Sequence, residues 1–390
     1  MQATDVRSDH HARVAGRLCE VRPELRAVGA REDRFLTARA SGHRREKVLG
    51  DGGRAGAPRV AHVCSICCQK VSGAVGLAWH DRYLGRGFVP RRASWSRYAL
   101  ALRSFDDAGF FHQGLAPFVA PEASEDELVT VHAPSYLAFL RDLDARGEGL
   151  VDGRQTPAYT GMLFRASVAV GGTLLATRLV TAGRVAHAFN PAGGLHHAHP
   201  DRASGFCLLN DIAIAVRALQ REGVRRIAVL DVDAHHGDGT QAIFWEEDVL
   251  VVSIHEHGGR FFPGTGAADE TGAGAGDGFT LNVPLRRGDG DAAFLAALDI
   301  GLARVRAHRP EILLLQFGTD GHVADPFSHL RLSDAAYLAA AERAHELAHE
   351  VCDGALVLLG GGGYSPETVA RVWTRALALL CGFRMLARDG

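Results

Sequence analysis

Residues 229 to 240 hold the densest group of side chains that could do chemistry, in the order Val-Leu-Asp-Val-Asp-Ala-His-His-Gly-Asp-Gly-Thr. Three aspartates and two histidines fall within the eight residues from 231 to 238. Carboxylate oxygen and imidazole nitrogen together are a ligand set for a divalent transition metal such as zinc. One aspartate alone could simply cap a neighbouring helix, but that explanation does not account for the whole group. The stretch therefore predicts a metal site.

The element that positions these residues is the apolar run before them, Arg226 to Leu230, which is typical of a buried strand in a parallel sheet. Side chains alternate along a strand, so Asp231, Asp233 and His235 fall on one side of the chain where it leaves the sheet. Open α/β sheets bind ligands at the carboxyl ends of their strands. We therefore expect the metal at that edge.

A second apolar run, Ile312 to Phe317, ends shortly before Asp320. Asp320 is the natural third ligand beside Asp233 and His235. Three protein ligands leave a position open for water, which distinguishes a catalytic zinc from a structural one. The metal would lower the pKa of that water and polarise a substrate carbonyl.

Adjacent histidines occur in the segment Gly-Gly-Leu-His-His-Ala, as His196 and His197. Asp231 and Asp238 have no ligand role in this scheme and are of the type that orients an imidazole through its second nitrogen. A histidine held by a carboxylate at the mouth of a metal site is a candidate general base. Taken alone, the pair is more typical of a surface, so this interpretation depends on the metal motif.

Four glycines, Gly360 to Gly363, lead directly into Tyr364. Glycines let the backbone approach a pocket closely and direct the next side chain into it. A phenol there could donate a hydrogen bond to the oxyanion of a tetrahedral intermediate. A phosphate-binding loop is the competing interpretation, but the Lys and Ser or Thr that follow the glycines of a P-loop are missing.

Two phenylalanines in glycine-containing segments are candidates for the wall of a substrate pocket, Phe206 and Phe262. Two phenyl faces could enclose an aliphatic chain whose polar end reaches the metal. Gly205 and Gly362 are predicted to line the same pocket. Packing in the core is an equally open interpretation for either ring alone.

The composition is that of a soluble globular protein, with 47% hydrophobic and 23% charged residues among 390. A net charge of −2 argues against a broad surface for nucleic acid. We find no apolar run near 18 residues and no signal-peptide core, so no membrane contact is expected and the cytoplasm is the default location. The seven cysteines do not form a disulfide framework.

The first 75 residues differ from the remainder. They are rich in Arg, Gly, Ala and His, show no sustained period, and contain both lysines of the chain. We expect a poorly ordered extension over residues 1–75 and a catalytic domain over residues 76–390. The extension holds a C-x-x-C pair without the second pair of a zinc finger, among His62, Cys64, Cys67 and Cys68.

Strand-like and helix-like segments alternate along the rest of the chain, which predicts a parallel, doubly wound α/β sheet in one large domain. A glycine-rich loop is expected over residues 260–278. Strands are expected at 185–189, 226–230, 249–255, 312–317 and 356–359. Helices are expected at 96–105, 125–143, 166–181, 212–221, 291–306, 334–351 and from 366 onward.

Together, these motifs resemble the zinc-dependent histone deacetylase family of the arginase/deacetylase superfamily, and within it the bacterial acetoin-utilization type deacetylases. The resemblance covers about residue 77 to 381 and implies an eight-stranded parallel sheet between helices. It rests on Gly-Gly-Leu-His-His-Ala, Ala-Ser-Gly-Phe-Cys-Leu-Leu-Asn-Asp, Asp-Val-Asp-Ala-His-His-Gly-Asp-Gly, Phe-Phe-Pro-Gly-Thr-Gly, Gln-Phe-Gly-Thr-Asp-Gly-His with Asp325-Pro326, and Gly-Gly-Gly-Gly-Tyr.

The resemblance also implies a role for each site residue. His197, paired with Asp238, would be the general base and later acid, and His196, paired with Asp231, would give electrostatic support. Tyr364 would hold the oxyanion. The other implied roles are zinc ligation by Asp233, His235 and Asp320, and an acyl-lysine tunnel lined by Phe206 and Phe262.

A potassium ion beside the zinc is implied as well, on main-chain oxygens of Asp231, Asp233 and His235 and on the Ser253 hydroxyl. One departure from the family is Phe327, where relatives often carry Leu or Met. Asp152 is a candidate for the acidic residue that grips the substrate backbone in relatives.

The predicted function is that of a zinc-dependent amidohydrolase that removes acetyl from an acylated primary amine, most simply acetyl-lysine on a protein. Tyr364 favours activity, because weakly active branches carry His there. Three alternatives stay open: an acetylpolyamine amidohydrolase, a ureohydrolase with two manganese ions, and a non-catalytic acetyl-lysine binding module. Position 322 is His where the two-manganese enzymes carry Asp, which favours a single zinc.

Overall fold

The computed structural model of the chain describes residues 75–85, 87 and 96–382. In that part, eight strands form one sheet in the order β2-β1-β3-β8-β7-β4-β5-β6, and all neighbouring strands are parallel. The predicted α/β fold with an eight-stranded parallel sheet is confirmed. The strands are β1 Val75–Trp79, β2 Leu115–Val119, β3 His187–Asn190, β4 Ile227–Asp231, β5 Leu250–Glu256, β6 Thr280–Leu285, β7 Ile312–Gln316 and β8 Leu356–Leu359.

Helices flank the sheet and connect its strands. Short 3-10 turns occur at Asp81–Leu84 and Gly274–Gly276. The α-helices of the described residues are α1 Arg97–Asp107, α2 Phe110–Gln113, α3 Glu125–Leu128, α4 Pro134–Arg146, α5 Met162–Thr181, α6 Asp211–Arg221, α7 Asp238–Ile243, α8 Asp291–His308, α9 Asp334–Cys352 and α10 Pro366–Leu380.

The strands that the sequence analysis missed include both edges of the sheet, β2 and β6. Each contains a proline, Pro117 or Pro284. Proline cannot donate a ladder hydrogen bond and is tolerated at edges, so it weakens the strand signal there. The predicted helix-rich stretch over 125–143 divides into α3 and α4, because Pro134 starts a new helix at its first position.

The core lies between the sheet and the helices α5 and α6. It includes Val229, Leu314 and Val357 from three central strands and Ile212 from α6, all with no exposed surface. Each such buried aliphatic side chain contributes about 1.5–3 kcal/mol relative to exposure. This rigid interior fixes the positions of the strand ends.

Helix α5 is long and apolar enough to cross a membrane by length and composition. An apolar stretch of 18 residues within it is 78% buried inside the fold. The expectation that no apolar run approaches 18 residues was therefore wrong for this segment. The burial accounts for the composition, since a helix that is apolar on all sides is typical of the core of a large domain.

The proposed extension over residues 1–75 falls almost entirely outside the described residues. Only Val75 is described, and it begins β1. The extension and its C-x-x-C pair stay predictions.

Candidate active site

The candidate site residues lie at the carboxyl ends of four adjacent strands, β3, β8, β7 and β4. Each strand runs directly into one of the predicted motifs, because parallel strands all end at the same edge of the sheet. The motifs are the histidine pair after β3, the glycine run after β8, Asp320 after β7, and the acidic cluster after β4.

The three predicted metal ligands meet at this edge. Asp233, His235 and Asp320 are all buried, and one ligand atom from each lies within 4.8 Å of the others. The Nδ1 atom of His235 is 3.2 Å from Oδ1 of Asp233 and 2.9 Å from Oδ2 of Asp320. Two oxygens and one nitrogen that converge in this way are a donor set suited to zinc.

The electrostatics of the group also fit a divalent cation. Burial and the neighbouring Asp233 raise the pKa of Asp320 to about 6. Burial opposes a charge on His235, but Asp320 and Asp233 raise the pKa of this imidazole to about 10. Two buried carboxylates thus face each other across one imidazole, and a divalent cation would neutralise both charges.

Backbone and amide groups hold the two carboxylates in place. Asp233 Oδ2 accepts hydrogen bonds from Gln316 Nε2 and from the Gly362 backbone, both at 2.8 Å. The backbone N–H of Ala234 donates to Asp320 Oδ1 at 2.8 Å. The ligands are therefore oriented by groups from β7 and from the loop after β8.

A glycine is required at position 362 because the backbone there lies directly against the metal-ligand carboxylates. A Cβ atom at this position would lie 2.2 Å from Asp320 Oδ2 and 2.8 Å from Asp233 Oδ2. The glycine run thus brings its backbone against the metal ligands.

The two adjacent histidines each have their own carboxylate. Nδ1 of His196 is 2.6 Å from Oδ2 of Asp231, and Nδ1 of His197 is 2.7 Å from Oδ1 of Asp238. Their Nε2 atoms lie 3.0 Å apart. Each carboxylate fixes one ring nitrogen as the proton carrier and turns the other nitrogen towards the site.

The surroundings make one of the two rings neutral and the other positively charged. Burial and the neighbouring His196 lower the pKa of His197 to about 4, so this imidazole is neutral at pH 7. Burial opposes protonation of His196 too, but Asp231 and Asp233 raise its pKa to about 9. A neutral imidazole can accept a proton, whereas a charged one acts only as a donor and a fixed charge.

The loop that carries the histidines is held by the start of α6. Asp211 accepts hydrogen bonds from the backbone of Gly194 and Leu195 at 3.0 and 2.7 Å. Asn210 donates to the carbonyl of Ala198 at 3.1 Å and caps α6, a position that asparagine favours. The histidine pair is thereby fixed by a helix terminus within the core.

Tyr364 lies beside the metal ligands, and burial with the carboxylates of Asp320 and Asp233 holds its pKa well above the usual value. The phenol is therefore a proton donor at neutral pH. Its backbone N–H donates to Asp325 Oδ2 at 2.6 Å. Arg97 Nη1 donates to the carbonyls of Gly361 and Gly363 at 3.1 and 3.0 Å, so α1 holds the glycine run as well.

A cavity leads from the surface to these residues. Its lining includes Phe206, Phe262 and Tyr364 together with His197 and His235. The Phe262 ring centroid is 4.9 Å from that of His197, and the Phe206 centroid is 6.2 Å from that of Tyr364. Both phenylalanines therefore face the cavity, which is where the sequence analysis expected them.

Gly205 explains how the chain can pass so close to the general base candidate. Its φ is +52°, and a Cβ atom here would lie 2.3 Å from Cδ2 of His197. Any side chain would displace that ring.

The outer part of the cavity carries Phe327, the departure from the family, and Asp152, the candidate for contact with the substrate backbone. The Phe327 ring centroid is 4.3 Å from that of Tyr364, so Phe327 narrows the passage. Asp152 accepts hydrogen bonds from the backbone of Arg154, Gln155 and Thr156 at 2.9–3.0 Å. The Thr156 hydroxyl also donates to Asp152 Oδ2 at 2.6 Å. This bond and the backbone bonds lower the pKa of Asp152 against the effect of burial, so it presents an anion at the mouth.

Several supporting residues were given no role by the sequence analysis. His199 Nε2 lies 3.0 Å from Asp238 Oδ2, so Asp238 serves two histidines. Gln316 and Arg97 contact the site from β7 and α1. Gln316 stands in a quoted motif and could have been found there, whereas Arg97 has no local signal because it lies 264 residues from Gly361.

The comparisons with known proteins agree with this geometry. Residues 91–380 match the histone deacetylase domain, so the chain belongs to the histone deacetylase family. The acetoin utilization protein AcuC of Bacillus subtilis is 39% identical over 70% of this chain and 72% of its own length. The histone deacetylase-like amidohydrolase of Pseudomonas aeruginosa is 36% identical over 69% of this chain and 72% of its own.

Solved structures give the same result. An HDAC homolog from Aquifex aeolicus superposes with a TM-score of 0.71 and 34% identity, covering 80% of this chain and 84% of that one. The HDA15 HD domain gives 0.73 and 28%, covering 80% and 90%. The chain is therefore an enzyme of the class that hydrolyses amide bonds.

Proposed function

We propose that this protein is a zinc-dependent deacetylase that hydrolyses the amide of acetyl-lysine side chains in proteins. The observation that carries the proposal is the convergence of Asp233, His235 and Asp320 within 4.8 Å beside the carboxylate-bound His197. The reaction consumes water and yields acetate and a free amine.

Asp233, His235 and Asp320 would hold the zinc ion. When bound, zinc supplies Lewis acidity, which lowers the pKa of water and polarises a carbonyl. The carboxylates need this charge, because without a cation they repel each other in a buried setting.

His197 would move the proton. Its neutral ring, held through Nδ1 by Asp238 at 2.7 Å, takes a proton from the attacking water and then gives it to the leaving nitrogen. His196 keeps a positive charge close by, which stabilises the developing negative charge. Tyr364 donates its phenolic proton in a hydrogen bond to the oxyanion.

The cavity favours a lysine side chain over a polyamine. Its inner wall is aromatic, which suits an aliphatic stem. Its outer wall carries five exposed arginines and two carboxylates, Asp152 and Glu256. One of the arginines, Arg202, is paired with Asp201 at 3.0 Å, so four arginines face two carboxylates. A polycation would be repelled by that excess of positive charge, whereas a neutral or acidic polypeptide would not. The arginines are Arg154, Arg202, Arg260, Arg286 and Arg287.

The segment around Asp320 favours a single metal ion over the two-manganese alternative. The side chain of His322 turns to Asp334, with Nε2 3.1 Å from Oδ1. It accepts the backbone N–H of Ala324 on its other nitrogen at 3.0 Å. His322 is therefore occupied away from the metal ligands.

A structural potassium ion is part of the proposal. Ser253 is buried and pairs in register with Asp231 across β4 and β5. That register supports the expected main-chain and hydroxyl oxygen ligands, since potassium prefers oxygen donors.

The deciding experiment uses protein stripped of metal and reconstituted separately with zinc, iron(II) or manganese. Each form is assayed on an acetyl-lysine peptide and on N-acetylspermidine. We expect zinc to restore hydrolysis of the peptide and the peptide to be preferred. Absence of hydrolysis with every metal would favour a binding module, and preference for acetylspermidine would favour the polyamine enzyme.

A matched variant tests the charge argument. Replacing Arg286 and Arg287 with glutamate should raise kcat/KM for acetylspermidine several-fold and lower it for an acidic peptide. Arg225→Glu, at an exposed position remote from the cavity lining, is the control and should change neither.

A further inference from the structure

A second group of three imidazoles lies away from the active site. His187 is the first residue of β3, and His345 and His349 lie in α9. Nε2 of His345 is 3.0 Å from Nε2 of His187 and 3.1 Å from Nε2 of His349. All three ring centroids lie 4.6 to 5.2 Å apart.

This group lies at the amino ends of the strands, which we call the amino edge of the sheet, whereas the active site lies at their carboxyl ends. β3 begins at His187 and ends at Asn190, from which the chain continues to His196 and His197. Residues four apart on a helix share a face, so His345 and His349 present their rings together. The group therefore joins the start of a central strand to the last turns of a long helix.

One of the rings is already oriented as a ligand. Nδ1 of His187 is 2.8 Å from the carbonyl oxygen of Gly354, so Nδ1 carries the proton and donates it. Nε2 of His187 is then left with its lone pair facing the other two rings. A metal-binding histidine commonly donates the N–H of its second ring nitrogen to a carbonyl oxygen in this way.

Gly354 also keeps space for the third ring. Its φ is +80°, and a Cβ atom here would lie 2.7 Å from Cε1 of His349. Gly354 thus has two effects. Its carbonyl orients His187, and its lack of a side chain leaves room for the ring of His349.

Hydrogen bonds among the three rings cannot satisfy them fully. Nε2 of His345 contacts both other Nε2 atoms, yet a ring nitrogen carries either one proton or one lone pair. If it donates to His187, it has no lone pair to accept from His349. If it accepts from His349, two lone pairs face each other between His345 and His187. One cation among the three nitrogens removes this conflict.

The spacing agrees with such a cation. Zn–N bonds of about 2.0–2.1 Å at tetrahedral angles place the nitrogens about 3.3 Å apart. The two observed separations, 3.0 and 3.1 Å, need only a small opening. Imidazole nitrogens suit zinc, copper and nickel.

We propose that His187, His345 and His349 form a second metal site that binds a divalent transition metal, with zinc as its expected occupant. The site has three neutral nitrogen ligands and no carboxylate among them. His187 is 2% exposed whereas His349 lies at the surface, so the fourth position opens to solvent. Binding there ties α9 to β3 and stabilises the folded state.

The test counts zinc ions. Protein stripped of metal is incubated with zinc chloride, freed of unbound metal, and analysed by elemental mass spectrometry. We expect two zinc ions per chain in the unaltered protein and one in a His345→Ala, His349→Ala double variant. Alanine is the best helix former, so α9 should persist in that variant.

Two further variants separate this site from the active site. Asp320→Asn, which disrupts the catalytic ligand set, should keep one zinc at the histidine group. His112→Ala, at an exposed histidine of α2, is the matched control and should keep two. The double variant should also hydrolyse substrate within about twofold of the unaltered rate and melt at a lower temperature in excess zinc.

Equal zinc content in the unaltered protein and the double variant, whether one or two ions, would overturn the proposal. Should the double variant fail to fold, the count is repeated on His349→Gln, which keeps a polar side chain at the exposed position. The proposal does not depend on the proposed function, because a catalytically silent protein could still bind the second ion.

Discussion

The described part of the chain holds two groups of three potential metal ligands at opposite edges of one sheet. The group at the carboxyl edge, Asp233 with His235 and Asp320, is fully buried and contains two carboxylates. The group at the amino edge, His187 with His345 and His349, contains imidazoles alone and grades from buried to exposed.

The difference shows how the surroundings of a metal site decide its use. The carboxyl edge gathers loops from four strands, so ligands, a general base and a phenol donor can surround one point. The amino edge offers one strand start and one helix, which is enough to hold an ion but supplies no base or oxyanion donor among those ligands. Chemistry is therefore expected only at the first group.

Asp320→Asn should have the largest effect on activity. It leaves Asp233 as the only carboxylate ligand, and loss of several kcal/mol of transition-state stabilisation by the metal corresponds to at least about a thousandfold in kcat/KM. The measurement is hydrolysis of an acetyl-lysine peptide at saturating zinc. A rate near that of the unaltered enzyme would show that the ion is held elsewhere.

His197→Ala should lower turnover by at least about a hundredfold, the usual scale for loss of a proton-transfer group. Its zinc content should not change, which separates it from the ligand variant. His345→Ala provides the contrast at the other edge and should stay within about twofold. Equal losses in both histidine variants would remove the functional distinction between the edges.

Tyr364→Phe should also lose about a hundredfold or somewhat more, chiefly in kcat, because one oxyanion donor is removed while the ring and its packing persist. Steady-state kinetics on the same peptide test this. A change confined to KM would assign Tyr364 to substrate binding instead.

The smallest effect is expected on stability, for a substitution at Asp334. This residue begins α9, at the end away from His345 and His349. Arg371 and Arg375 bond to this carboxylate at 2.8 and 3.1 Å, and Arg371 lowers the pKa of Asp334 to about 2. Both arginines are largely exposed, so Asp334→Asn should cost only about 1 kcal/mol in the free energy of unfolding at pH 7.

The pH dependence of that cost has a definite sign. A carboxylate with a lowered folded-state pKa stabilises fully above its unfolded value of about 3.9 and loses this as pH falls towards 2. Urea unfolding at pH 7 and pH 3 should show the difference between variant and unaltered protein shrinking with acid. The zinc content of Asp334→Asn should equal that of the unaltered protein. The zinc count therefore separates weaker packing of α9 from loss of the ion proposed at His187, His345 and His349.

The sequence was most informative where function and local pattern coincide. Asp233 and His235 follow directly from a buried strand, and the structure brings them to Asp320 because parallel strands share a carboxyl edge. The pairing of His197 with Asp238 had been inferred from family resemblance, and the two side chains lie in contact.

What escaped the sequence analysis depends on tertiary contacts. His187 and His345 are 158 residues apart, and only the four-residue spacing of His345 and His349 is visible locally. The edge strands β2 and β6 are weakened by prolines that an edge tolerates. The second hydrogen bond to Asp238, from His199, needs the loop geometry.

Arg97 links α1 to the glycine run that follows β8. The guanidinium of the first residue of α1 holds the two carbonyls that flank Gly362, and Tyr364 follows immediately. A variant that lacks the Arg97 guanidinium would keep every ligand and every proton carrier, yet its phenol would stand on an unclamped loop. Catalytic competence would then depend on a residue of α1 that supplies neither a ligand nor a proton.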